Sequence, residues 1–168
     1  LSLPVTKEIN VGDPSTSEMI FYGLGSDGTV GANKNTIKLI GDNTDFLAQA
    51  YFAYDSKKSG GVTRSHLRFG KKQIRSTYLV RHAKFISCSL DTYLTKFNML
   101  QYLNENGTFL LNTNRSVEEL LEYMPNSVKK TLAKKKAKFY IIDAISLANE
   151  IGLGHRTNTI MQSAFFKL

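Results

Sequence analysis

The chain has 168 residues, 42% of them hydrophobic, and a formal net charge of +8. That length and composition fit one globular domain with its own core and exclude a disordered class; with no apolar run of about 18 residues and no basic, apolar leader, neither a membrane-spanning helix nor a signal peptide is expected. A single cysteine, Cys88, excludes a disulfide within the chain and any cysteine-based metal or iron–sulfur site contained wholly in it, and points to a reducing, cytoplasmic setting.

Residues 1–17 carry Pro4, Gly12, Pro14 and several hydroxyl side chains, and read as a linker or extended arm. The first residue is Leu1, which suggests a piece of a longer polypeptide. Residues 18–168 read as a single α/β domain. Met19 to Tyr22 is a short apolar strand. The helix after it begins near Gly28 or Thr29 and runs to about Gly41, with Val30, Ile37 and Ile40 at helical spacing. Gln49 to Tyr54 is a second strand, rich in aromatics. A polar loop, Asp55 to Gly61, leads to a strand over Val62 to Phe69. The pattern admits a further strand over Ile74 to Leu79, antiparallel at an edge. Phe85 to Ser89 is a buried strand, and one or two helices cover about Leu90 to Leu103. After the Asn106-Gly107 turn, Thr108 to Asn112 is again a strand.

Ser116 followed by Glu119 is a capping box that starts a helix running to Met124. Pro125 opens the next helix, which ends near Lys136. Six lysines fall between Lys129 and Lys138; no groove-reading motif accompanies them, so they read as a solvated face rather than a nucleic-acid interface. Lys138 to Ile142 is a strand, Asp143 begins a helix to Ile151, Gly152 and Gly154 break it, and Asn158 to Phe166 is the last helix. Strands alternating with helices predict a mostly parallel, Rossmann-like three-layer α/β sheet with helices on both faces.

The chemistry concentrates in two loops. Gly23-Leu24-Gly25-Ser26-Asp27-Gly28 spells G-x-G-x-x-G between a strand and a helix, where backbone N–H groups face a phosphate. The competing reading is a tight turn that needs glycine for packing alone. Asp27 repels an anion unless it turns away or caps the helix. A dinucleotide site wants an acidic residue at the end of the second strand. Asp55 stands there, but Ser56, Lys57, Lys58, Ser59, Gly60 and Gly61 follow it and read as a second anion-binding loop, the competing reading of the lysines being a solvated loop. If the two strands are neighbours, both loops share one rim. Two anion sites suit a ligand with more phosphate than a plain dinucleotide, such as coenzyme A or NADP. No Ser-His-Asp order, carboxylate pair or metal set is legible. His66 reads as a satisfied sheet histidine, with Arg64 and Arg68 on either side lining a site or facing solvent. Cys88 reads as core, and His82 and His155 suggest nothing specific.

GLGSDGTVGANK (Gly23 to Lys34), YFAYDSKKSGGVT (Tyr51 to Thr63), SHLRFG (Ser65 to Gly70), FYIIDA (Phe139 to Ala144) and IGLGHRTNTIMQSAFF (Ile151 to Phe166) together resemble the gamma domain of the pyruvate:ferredoxin (flavodoxin) oxidoreductases. The resemblance covers nearly everything from about residue 18 onward. It implies a coenzyme A-binding domain, not catalytic by itself, in an enzyme converting pyruvate and coenzyme A to acetyl-CoA and carbon dioxide. Two electrons pass to ferredoxin or flavodoxin; thiamine diphosphate, Mg²⁺ and iron–sulfur clusters lie in other domains, and the whole enzyme is a homodimer. On the resemblance, Gly25, Ser26, Asp27, Gly28, Thr29, Asn33 and Lys34 form the first ligand loop. Ser56, Lys57, Lys58, Ser59 and Gly60 form the second, with Lys57 and Lys58 as phosphate partners. The alternatives are an NAD(P)-binding oxidoreductase domain, the gamma domain of a related 2-oxoacid oxidoreductase, and an interaction module with an empty loop.

Overall fold

The computed structural model describes Pro4 and residues 10–55 and 60–168. Alternation along the first strand, β1 (Ser17–Leu24), sets the two sides of the molecule: Ile20 and Tyr22 point one way, Met19 and Phe21 the other. Five more strands join it: β2 (Leu47–Tyr54), β3 (Val62–Gly70), β4 (Ala83–Cys88), β5 (Leu103–Asn112) and β6 (Lys138–Ile142). The sheet order is β2-β3-β1-β4-β5-β6. β1, β4, β5 and β6 run parallel, whereas β3 is antiparallel to both β1 and β2.

This order corrects one condition of the sequence reading. The first two strands are not neighbours, because the β2–β3 hairpin folds back and inserts β3 between them. Both are antiparallel to β3, however, so both end at the same rim.

Helices cover both faces. On the face of Ile20 lie α2 (Tyr93–Lys96), a 3₁₀ turn (Met99–Tyr102), α3 (Val117–Tyr123) and α4 (Asn126–Lys134), which pack Leu94, Leu100, Leu120 and Val128 onto Ile86, Phe109 and Leu111. On the face of Phe21 lie α1 (Thr29–Asn43), α5 (Ala144–Glu150) and α6 (Thr157–Lys167). There Phe165 meets Phe21 and Phe85 edge-on, with centroids 5.3 and 5.1 Å away. Burying each such side chain stabilises the fold by about 1.5–3 kcal/mol.

Local signals translate directly. Ser116 Oγ accepts from Glu119 N (3.2 Å) and Ser116 N donates to Glu119 Oε2 (2.9 Å), completing the capping box. Asp143 caps α5 through Ser146 N. Gly152 and Gly154 have φ of 76° and 57°, the left-handed conformation that ends α5.

Two expectations fail. Ile74–Leu79 is not a strand. The segment crosses from the foot of β3 to the foot of β4, past β1, so it runs across the strands and has no ladder to join. It covers polar sheet residues instead: Gln49 Nε2 donates to Ser76 O, and Tyr78 lies 5.0 Å from the Arg68 guanidinium. The lysine run is not uniformly solvated either. Lys135 Nζ donates to the carbonyls of Leu100, Gln101 and Leu103, tying α4 to the 3₁₀ turn.

Candidate functional site

The first βα turn is built by close packing. A Cβ on Gly23 would stand 2.6 Å from Thr29 Cβ, so β1 and α1 approach only because that position is glycine. Ser26 (φ 75°) and Gly28 (φ 85°) both occupy the left-handed region. Asp27 holds the turn in place. Its Oδ2 accepts from Leu24 N and its Oδ1 from Thr29 N, both at 2.8 Å. The carboxylate thus faces inward and braces the start of α1, rather than opposing a ligand. Among the described residues, the N–H groups of Ser26, Gly28, Val30 and Gly31 have no hydrogen-bond partner and stand at the positive end of a 15-residue helix.

The second loop reaches the first through the hairpin. Gly25 N donates to Gly61 O at 2.8 Å, and Asp55 N to Val62 O at 3.1 Å. A cleft of about 430 Å³ lies between them, walled by Gly25 to Gly28, Val30, Tyr54, Asp55 and Gly61. Its described lining carries two carboxylates, Asp27 and Asp55, and no cation. Ser56, Lys57, Lys58 and Ser59 lie outside the described residues; Gly60 is exposed with φ 71°.

The first-loop residues divide into groups. Gly25, Ser26, Asp27 and Gly28 line the cleft. Thr29 and Asn33 are buried in a polar seam between α1, β4 and α6, where Thr29 Oγ1 lies 3.1 Å from Ser89 Oγ and Asn33 Nδ2 has no partner. Lys34 leans over the Phe52 ring at 5.6 Å.

The same rim continues beyond the loops that the sequence singles out. The chain leaves β1 for the α1 face and leaves β4 for the opposite face, so the topological switch lies between these strands, where ligands of open α/β sheets bind. Tyr93 Oη donates to Gly23 O across it (3.3 Å). Asp91 Oδ2 accepts from Thr113 Oγ1 (3.0 Å) and from Arg115 Nε (2.8 Å). Asn112 bridges Ser89 O and Ala144 N at 3.0 Å each, and Asn158 sits against Gly28. These residues carry no motif. Their one legible signal is a polar residue directly after an apolar strand, in Ser89 to Asp91 and Asn112 to Arg115.

The remaining candidates are structural. Cys88 is fully buried, its Sγ donates to Leu90 O, and burial pushes its thiol up to about 12, so it is inert at neutral pH. His66 is buried in β3, but neither ring nitrogen has a partner, which departs from the satisfied histidine expected. Burial first, then Arg64 and Arg68, push its pKa down to about 4. Arg68 lines no site: at the buried foot of the sheet its Nε pairs with Glu18 at 2.5 Å and its Nη1 donates to Gln49 Oε1, while Nη2 is buried without a partner. Arg64 is exposed.

Residues 18–168 match the family model described as pyruvate ferredoxin/flavodoxin oxidoreductase. The chain is 54% identical over 167 residues to pyruvate:ferredoxin oxidoreductase of Moorella thermoacetica, covering 99% of this chain and 14% of that protein. It thus spans only about one seventh of the relative's length. The fold is similar to pyruvate oxidoreductase subunit PORC of Thermotoga maritima (TM-score 0.70, 18% identity, 90% of this chain and 75% of that one). It is also similar to part of 2-oxoglutarate:ferredoxin oxidoreductase of Magnetococcus marinus, solved with 2-oxoglutarate, coenzyme A and succinyl-CoA bound (TM-score 0.61, 11% identity, 87% of this chain and 23% of that one). At those identities the two structures attest the fold alone.

Proposed function

We propose that this chain, which belongs to the pyruvate ferredoxin/flavodoxin oxidoreductase family, is the coenzyme A-binding gamma domain of an enzyme that oxidatively decarboxylates pyruvate. That enzyme forms acetyl-CoA and carbon dioxide and passes two electrons to ferredoxin or flavodoxin. The observation that carries the reading is the meeting of the two loops: Gly25 N bonded to Gly61 O, beside a cleft lined by Ser26, Gly28, Val30 and Gly31, whose N–H groups have no partner among the described residues. A phosphate takes backbone donors there without desolvating a side chain.

Each residue type has a distinct task. Asp27 holds the turn so that Ser26, Gly28 and Val30 present their N–H groups. The described lining holds no cation, so the charge that meets a phosphate comes from Lys57 and Lys58 of the second loop, and coenzyme A supplies the phosphates they need. Among the described residues no cluster of His, Cys, Asp and Glu could hold a metal. In this reading thiamine diphosphate, Mg²⁺ and the iron–sulfur clusters belong to other domains, which are this domain's partners in a homodimeric enzyme. No helix among the described residues is long and apolar enough to cross a membrane. The setting in this reading is the reducing cytoplasm, which a chain with one cysteine suits.

The NAD(P) alternative is weakened by topology. A dinucleotide βαβ unit sets the acidic end of its second strand beside the first. Here β3 intervenes, and the strand that carries Asp55 stands two spacings from β1, about 10 Å, rather than one.

The test is the Lys57→Ala, Lys58→Ala double variant of the intact enzyme. The expected result is a KM for coenzyme A raised about tenfold or more, with the pyruvate half-reaction retained. Equal loss of both half-reactions would mean that the loop has a structural role.

A further inference from the structure

We propose that Arg115 is the fixed cation of the strand rim and binds an anionic group, a phosphate or a carboxylate, of the ligand seated at the switch between β1 and β4. The inference rests on the reading of the rim as a ligand site and adds a residue outside both loops.

Two contacts fix the guanidinium, and a third braces the carboxylate that holds it. Its Nε is held by Asp91 Oδ2 at 2.8 Å. Its flat face lies over the Tyr123 ring at 4.1 Å. Its own backbone N–H donates to Thr113 Oγ1, and that hydroxyl donates to the same Asp91 oxygen. Asp91 follows β4 and Arg115 follows β5, so the bond draws the cation from β5 towards β4 and the switch point.

The open edge points to a ligand. Among the described residues, Nη1 and Nη2 have no hydrogen-bond partner, and the side chain is 36% exposed against 16% for Asp91. A guanidinium with one edge and one face held, and its paired nitrogens open, is preorganised for two-point recognition of a planar or tetrahedral oxyanion. On the same rim, the described lining of the cleft between the two loops holds no cation. Arg68 shows the contrast: with Glu18 on Nε and Gln49 on Nη1 it is buried, and its unpartnered Nη2 is shut away from any ligand.

The experiment compares Arg115→Ala and Arg115→Lys with the parent in the intact oxidoreductase. KM is measured for coenzyme A, for coenzyme A lacking its 3′-phosphate, and for pyruvate, with melting temperature beside them. A KM for coenzyme A raised about ten- to a hundredfold by Ala, and only partly restored by Lys, supports a phosphate on the Nη pair. Loss of the effect with the dephosphorylated analogue assigns the 3′-phosphate, and its persistence assigns the diphosphate. A selective rise in the pyruvate KM supports the anion site with a carboxylate as its ligand. Unchanged constants for all three compounds overturn the inference. So does a parallel loss of everything with a lowered melting temperature that Lys restores, because that pattern belongs to a tie between loops. If Lys57→Ala, Lys58→Ala raises the coenzyme A KM and Arg115→Ala does not, this inference alone fails. If neither does, the coenzyme A reading fails with it.

Discussion

The foot and the rim of the sheet use the same pieces to opposite ends. At the foot, Glu18, Gln49 and Tyr78 enclose Arg68 so fully that only 2% of it is exposed. At the rim, Asp91 and Tyr123 hold Arg115 by one edge and one face, and Asp27 holds a turn whose neighbouring N–H groups remain open. In each place a carboxylate acts as an internal brace. What differs is whether the donors left over are enclosed or open to solvent. Burial decides this: Arg68 Nη2 has no partner but is closed off from any ligand, whereas a donor at a strand end can leave one face for a ligand.

The largest effect should come from the foot. Glu18→Ala leaves the Arg68 charge buried without its counter-ion and is expected to destabilise the domain by about 3–5 kcal/mol in urea unfolding. A loss below about 1 kcal/mol would show that water reaches Arg68, and the contrast between foot and rim would collapse.

His66 lies between the two regions, on the same face of β3 as Arg64 and Arg68. Its pKa is about 4 in the fold against an ordinary 6.5. As pH falls through 6.5 the unfolded chain takes up the proton first. Stability is therefore expected to decrease from about pH 6.5 down to about 4 and to level off below, by up to about 3 kcal/mol. Comparing the pH dependence of unfolding with that of His66→Leu isolates this contribution; identical slopes would mean that His66 protonates as readily in the fold as out of it.

The smallest effect belongs to the rim. Asp27→Ala leaves Leu24 N and Thr29 N unpaired and is expected to cost about 1–2 kcal/mol, read as a lowered urea midpoint with unchanged slope. In the intact enzyme the same change should also weaken coenzyme A binding, because the turn loses its brace. A variant that binds as before would show that the turn keeps its shape without the carboxylate.

Much of the fold was legible because its signals are local. Lys138–Ile142 is a strand with the bounds its apolar run suggests, and Ser116 with Glu119 caps a helix as their spacing requires. The glycine loop announced itself through residues whose conformations only a tight turn demands. The second loop was legible as chemistry, since Ser56 to Ser59 combine charge and hydroxyls, but no structural description covers those residues. Ile74–Leu79 misled because its composition suits a strand while its route across the sheet gives it no partner.

The sequence by itself determined the α/β class, nearly every element, the two loops and the family, since each depends on residues adjacent in the chain. Tertiary structure alone decided the insertion of β3 between β1 and β2, the meeting of Gly25 with Gly61, the inward turn of Asp27 towards α1 within the packed rim, and the pairing of Asp91 with Arg115. Strand neighbours are chosen by backbone hydrogen bonds and packed faces between segments far apart in the chain. A carboxylate's role is set by the donors that folding brings to it, and no pattern of adjacent residues records either.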